Sequence, residues 1–523
     1  MHIDARTLDN ETLIEGDICI VGAGAAGISI ALEFINSPYK VILLEGGGFE
    51  YEERIQELYD GKITGQPYYP IKASELHYFG GTTGHWGGMC SPFDPIAFKK
   101  RDWVENSGWP ITQDTLLPYY KRAHTVLEID VYEFELDYWQ KKDPSLVAMP
   151  FDKEWVWTKL WKFSPPTRFG TRYKDVIVNA KNIHLYTYAN MVDITTNENI
   201  SDVKTVTVKN YAGKTHHVTA KYFVIACAGI QNARVLLAAN KQAPKGIGNG
   251  NDLVGRYFME HLELKSAELW VTQKSELKLY MNVNPRVHGE IAVMPKKQEE
   301  LQILNGIVTF TPLENKTPNY IKTWTSSDPR ENLRSRPQPA YKAVYHKIKD
   351  YFKSFDPDIK NNLHQAFQVT LRMEQAPNPL SRVTLSDEKD ELGVPRATLN
   401  WAFTSLEKKS IRKIYEILGQ QAGASGFGRV KLLEELWDDK DENVPSTTSG
   451  GWHHMGTTRM NDDPKKGVVD ADCKVHGIHN LFIAGSSCFT TGGGVNPTFT
   501  IVALSIRLAD HLKEIAGSQN TVS

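Results

Sequence analysis

Asp17-Ile-Cys-Ile-Val21 runs into Gly22-Ala-Gly24-Ala-Ala-Gly27, and Lys40-Val-Ile-Leu-Leu44 ends at Glu45-Gly-Gly-Gly48. The first run reads as a short buried strand. Ile28–Asn36 carries apolar residues at helical spacing and stops at Ser37-Pro38, where a helix should break. Lys40–Leu44 is a second strand. Strand, turn, helix and strand within about 30 residues form one βαβ unit and make the sheet parallel. In that setting the glycines allow a tight turn, close approach of backbone to a pyrophosphate, and close helix–strand packing. The helix N-terminus then faces the phosphates, and Glu45, 18 positions after Gly27, faces a ribose hydroxyl. Gly22, Gly24, Ala26, Gly27 and Glu45 are the first candidate dinucleotide-binding residues.

Two further buried strand runs of parallel type occur at Tyr222–Cys227 and Asn480–Ala484. Antiparallel-looking strands fill 263–312 and 367–400, where Phe367, Val369, Leu371 and Met373 alternate with Gln368, Thr370, Arg372 and Glu374. Asp114–Ile129 and Leu406–Leu418 read as helices, the second with Gly419 as its stop, and a last helix opens at Asn496-Pro497 and runs to about Ile515. The expected fold is therefore α/β, a Rossmann-like parallel-sheet domain with an inserted α+β domain built on an antiparallel sheet. Residues 1–98, 186–262 and 450–523 would form the first, and 99–185 and 263–449 the second.

The motif does not by itself separate FAD from NAD. Its position near the N-terminus and a second glycine-bearing strand end near the C-terminus favour FAD, and no second complete motif provides for a separate nicotinamide domain. Lys plus Arg number 60 against 62 Asp plus Glu, a balance that argues against a nucleic-acid binder. Five scattered cysteines without a C-x-x-C pair suit a reducing compartment, and neither a disulfide framework nor a metal site is expected. No stretch approaches the roughly 20 apolar residues of a membrane span, and the opening residues lack the pattern of a secretory signal. A cytoplasmic protein is expected, with export on a signal-bearing partner left open.

Three blocks together resemble the glucose–methanol–choline (GMC) flavoprotein oxidoreductases, most of all their pyranose 2-oxidase and glycoside 3-oxidase branch. They are Ile20–Glu45, then Gly80-Gly-Thr-Thr-Gly-His-Trp86, and then His453-His-Met-Gly-Thr-Thr-Arg-Met460 with Gly492-Gly-Gly-Val-Asn-Pro-Thr-Phe-Thr500. The resemblance implies that His453 and Asn496 are the catalytic pair of a CH–OH-oxidising, FAD-dependent enzyme, His453 as general base and Asn496 holding the substrate hydroxyl while hydride leaves for flavin N5. An imidazole suits proton removal near neutral pH. Asn496 before Pro497 also suits a helix cap, while His454 reads as structural. By the same resemblance Gly80, Gly81, Thr82, Gly84, His85, Trp86, Met191, Ala226, Cys227, Gly485, Ser486, Pro497 and Thr498 lie along FAD, with Asn496 among them. His85 matches the position that carries FAD covalently in pyranose 2-oxidases, but Thr83-Gly84 departs from their pattern, and a non-covalent flavin is the expectation.

Gln368, Thr370, Arg372 and Glu374 resemble the sheet floor of the family's substrate pocket. The implied reaction oxidises a secondary hydroxyl of a sugar or glycoside to a ketone, with oxygen or another electron acceptor. The alternatives are a tailoring enzyme or lyase of the same fold, and a dehydrogenase subunit of an electron-transfer complex acting on another alcohol. The stretch 322–353, with eight basic and three acidic residues, could cover the pocket or dock an acidic partner, and a homo-oligomer is a further option.

Overall fold

The computed structural model of the chain describes residues 1–281, 287–313, 364–432 and 444–520. Ile18–Val21, Val41–Leu44 and Tyr222–Ile225 are buried at every position, as strands covered on both faces must be. Each large apolar side chain among them contributes about 1.5–3 kcal/mol by leaving water. They stand side by side in a six-stranded sheet ordered His2–Asp4, Ile183–Thr187, Val41–Leu44, Ile18–Val21, Tyr222–Ile225 and Leu481–Ile483, and every pairing is parallel. The four expected parallel runs are thus neighbours. The two strands at one end, His2–Asp4 and Ile183–Thr187, were not anticipated; they carry His2 and His184. Ile183–Thr187 also crosses the boundary expected at 185/186.

The helix after the glycine turn spans Ala25–Glu33. The terminal helix, Thr498–Asn520, packs against it and against Gln113–Val126. Arg122 ties the three together by ion pairs to Glu33 and Asp510.

The second large sheet is antiparallel. Its order is Gly428–Leu432, His261–Ser275, His364–Glu374, Gly306–Pro312, His288–Val293, Val156–Phe163 and Met89–Cys90, with Ser449–Gly450 beside the second strand. Phe367, Val369, Leu371 and Met373 are fully buried on one face, as their alternation requires. The helix Ser405–Ala424 is part of the packing on that face: Ser410 accepts the Leu304 N–H at 2.9 Å, and Tyr415 donates to the Leu264 carbonyl at 3.2 Å. A capping box of Thr404 and Glu407 starts this helix. Its expected stop at Gly419 is corrected: buried Gln421 and Ala422 carry the helical face onward, and burial outweighs the roughly 1 kcal/mol cost of an internal glycine. The basic stretch 322–353 lies outside the described residues.

Among the described residues no helix is long and apolar enough to cross a membrane, and none of the five cysteines is in a disulfide.

Candidate active site

The parallel register aligns Val21, Leu44 and Ile225, so the carboxyl ends of these strands open on one crevice, where ligands bind in open α/β sheets. Gly22 there has φ +103°, and a Cβ on Gly27 would fall 1.9 Å from the Gly22 carbonyl oxygen. Only glycine fits both positions. No side chain caps the helix that begins after Gly24, and Ala26 is buried in its first turn. A Cβ at Gly24 or at Gly485 would meet nothing within 4 Å, leaving a cradle beside the helix N-terminus. Glu45 accepts the N–H groups of Ala23 and Gly47, each at 3.0 Å. Burial drives its pKa up to about 7 against those donors.

Glu45 shares a cavity with Gly22, Met191, Cys227, Gln231 and Arg234. Asn190 and His77 also line it; Asn190 Oδ1, His77 Nδ1 and Gln231 Nε2 are buried without hydrogen-bond partners. Such groups call for a polar ligand or water. Ala226 closes the floor, its carbonyl 2.5 Å from where a Cβ on Gly22 would stand. Burial raises the Cys227 thiol to about 12, which suits packing and not thiolate chemistry.

Gly80 donates to the Ala23 carbonyl at 2.8 Å, and a Cβ on Gly81 would lie 3.1 Å from Gly24 Cα. The second block therefore lies directly on the first. Thr82 accepts the Leu76 N–H, and Gly84 leaves no room for a Cβ beside the Tyr78 hydroxyl. Trp86 donates to the Thr167 carbonyl at 2.9 Å. His85 is buried, and burial, with Arg168 nearby, lowers its pKa to about 3.

The loop 450–456 carries the two histidines into different surroundings. His454 is enclosed: Nδ1 lies 2.8 Å from Glu75 and Nε2 2.8 Å from the Tyr68 hydroxyl. Burial opposes charge on this ring, but Glu75 and Glu260 raise its pKa. It is a structural member of a buried polar chain. His453 is half-buried, with Nδ1 2.9 Å from His261 Nδ1. Burial, then the neighbouring His261, Arg372 and His454, hold its pKa well below the ordinary imidazole value, so its ring is neutral at pH 7. Ser486 ties the loop to the parallel sheet by donating to the His454 carbonyl at 2.6 Å.

Asn496 does not cap the last helix. Its Oδ1 is buried with no hydrogen-bond partner, while the Pro497 carbonyl accepts the first helical N–H, from Ile501, at 2.8 Å. Pro497 and Thr498 form the start of that helix.

The polar face of the antiparallel sheet adjoins this centre, because His261 and Glu263 pair with Glu374 and Arg372. Arg372 Nε donates to Glu263 at 3.0 Å, and its Nη1 lies 3.8 Å from Glu290, which is 3.6 Å from His288. Glu290 is fully buried, yet neither of its oxygens accepts a hydrogen bond; His288 Nδ1 and Trp161 Nε1 are likewise buried without one. Thr370 stands half-buried on the same face. Two of the four expected floor residues are engaged elsewhere. Glu374 is held in a buried bidentate pair with Arg101 and accepts the Asn305 N–H, and Gln368 donates to the Ala267 carbonyl at 2.7 Å. The sequence reading also missed Glu260, His261, Glu263, His288 and Glu290. The only local signal was Glu260-His261 heading a strand in front of an apolar alternation.

Residues 377–505 match the GMC oxidoreductase C-terminal family. The 2-methyl-1,2-propanediol dehydrogenase of Mycolicibacterium austroafricanum is 25% identical, over 95% of this chain and 95% of that protein. The fructose dehydrogenase large subunit of Gluconobacter japonicus is 24% identical, over 96% of this chain and 98% of its own length. Among solved structures, a variant of the Aspergillus oryzae formate oxidase studied for FAD modification superposes with a TM-score of 0.59 at 17% identity, covering 98% of this chain and 100% of that one. The family implies FAD, and the cradle, the uncapped helix and the unpartnered polar atoms along the crevice fit such a dinucleotide. Residues 377–505 thus carry the C-terminal region of a GMC oxidoreductase, and the chain is an oxidoreductase similar over nearly its whole length to alcohol and sugar dehydrogenases.

Proposed function

We propose that this enzyme oxidises a secondary hydroxyl of a sugar or glycoside to a ketone, with His453 as general base and Asn496 holding the hydroxyl. One observation carries the reading: a neutral imidazole and a buried amide oxygen without a partner belong to two loops joined through His261. FAD, held by Gly22, Gly24, Glu45 and Gly485 and without a covalent bond to His85, would supply the acceptor for the hydride. His453 removes the hydroxyl proton, and Asn496 holds the same hydroxyl so that its C–H faces that acceptor. Arg372, Glu263, Glu290 and His288 offer donors and acceptors to further hydroxyls, the pattern a polyol substrate needs. The relatives named above act on a diol and on a sugar, which supports an alcohol of this class.

The test is anaerobic mixing of the flavin-loaded enzyme with a panel of sugars, glycosides and diols, followed by identification of the keto product. Substrate bleaches the flavin absorbance, and His453→Gln keeps its flavin but loses at least 100-fold in bleaching rate. Equal rates in variant and wild type would overturn the assignment. Acid precipitation reports on His85: a yellow supernatant means that the flavin is not bonded to it. Since one relative is a dehydrogenase's large subunit, a protein electron acceptor is the second reading, favoured if dye reduction far outpaces oxygen reduction.

A further inference from the structure

Two consecutive residues at the head of one strand grip the loop that carries His453. The Glu260 carboxylate accepts the N–H of Trp452 at 2.8 Å and the N–H of His453. The next ring, His261, stands between two loops, with Nδ1 2.9 Å from His453 Nδ1 and Nε2 2.8 Å from the Gly493 carbonyl and 3.1 Å from that of Gly492. The left-handed φ of Gly493, +57°, lets two successive carbonyls turn toward one imidazole.

This geometry determines where the hydrogens sit. Carbonyl oxygens only accept, so His261 Nε2 carries a hydrogen. A neutral ring protonated there has its lone pair at Nδ1. The single hydrogen between the two rings therefore belongs to His453 Nδ1, and the lone pair of His453 lies at Nε2. We infer that His261 is a positioning residue that holds His453 in its Nδ1–H tautomer, leaving Nε2 as the proton-accepting atom, while Glu260 fixes the backbone beneath it.

A cationic His261 would reverse the arrangement: its Nδ1 would donate, and a neutral His453 would carry its hydrogen on Nε2, where it cannot act as a base. Burial, with Arg372 adding to it, lowers the His261 pKa to about 4 against the opposing pull of the Gly493 and Gly492 carbonyls and of Glu263. The ring facing these groups and His453 is therefore neutral at working pH. The same ring connects the His453 loop to the glycine run three residues before Asn496.

The inference rests on His453 being the base, and the experiment separates the two claims. In flavin-loaded enzyme labelled with ¹⁵N-histidine, NMR should show the His453 ring, assigned by its loss in His453→Gln, with hydrogen on Nδ1 and none on Nε2. His261→Leu should slow flavin reduction 10- to 1000-fold, since a catalytic imidazole in the wrong tautomer costs up to about 10⁴. Substrate affinity should stay within about twofold, and His261→Asn, which again offers an oxygen acceptor to Nδ1–H, should recover much of the rate. A hydrogen on His453 Nε2 in the neutral wild type, or wild-type reduction rates in His261→Leu, would overturn the inference. If His261→Leu fails to fold, the wild-type tautomer measurement decides alone. Loss of reduction in His453→Gln beside full activity in His261→Leu sinks only the positioning role; full activity in both sinks the base assignment.

Discussion

The two sheets of this molecule build their sites by opposite means. Along the parallel sheet the first end of the ligand crevice is made of backbone: a +103° turn at Gly22, a helix packed so closely that residue 27 has no room for a side chain, and an uncapped helix end. Along the antiparallel sheet the site is made of side chains. His261, Glu263, His288, Glu290 and Arg372 arrive from three strands, with Arg372 paired to Glu263 and Glu290, and His288 beside Glu290. The first kind of site tolerates little change at a few fixed positions and serves one invariant ligand. The second can change residue by residue without disturbing the strands that carry it.

The contrast can be broken, starting where the effect is largest. Gly27→Val, whose Cβ would meet the Gly22 carbonyl at 1.9 Å, should abolish flavin retention, read as the ratio of flavin to protein absorbance after purification. A variant that keeps its flavin would show that the turn is not the anchor. Arg101→Met leaves the buried Glu374 carboxylate unpaired and should cost about 3–5 kcal/mol in urea unfolding. Adding Glu374→Leu should return part of it, the remainder reflecting the lost Asn305 contact.

A smaller effect concerns pH. His453 is held below the usual imidazole pKa, so the acid limb of kcat/KM should lie below about 6.5, with activity lost as the ring protonates. Arg372 contributes to that depression, and a positive neighbour disfavours an imidazolium. Arg372→Met should therefore move the limb upward; a downward shift or none would remove Arg372 from the centre. The smallest change is expected at Cys227→Ser in the nucleotide cavity. A hydroxyl can replace the thiol's contact with the Val21 carbonyl at 3.4 Å, so flavin content and reduction rate should stay within about twofold of wild type.

The same division governed what could be read in the chain before its structure was seen. The glycine turn, the acidic residue after the next strand and the four apolar runs are local patterns, and all of them fell in the parallel sheet. His453 and Asn496 came from family resemblance, and Asn496 proved not to cap its helix. The sheet face resisted because its chemistry depends on cross-strand partners. Glu374 has the same alternation as Arg372, and only folding reveals that Arg101, 273 residues away, has claimed it. His261 was hidden for a related reason: its importance lies in which carbonyls stand behind it, and those belong to residues 492 and 493.

The order of the parallel sheet also matters while the chain is being made. Tyr222–Ile225 has Ile18–Val21 on one side and waits for Leu481–Ile483 on the other. A ribosome must therefore extend the polypeptide by some 250 residues past this strand before its second edge can be covered. During that interval a fully apolar edge is available to other nascent chains, so slower translation or scarce chaperones should reduce the yield of enzyme without altering a single property of the finished molecule.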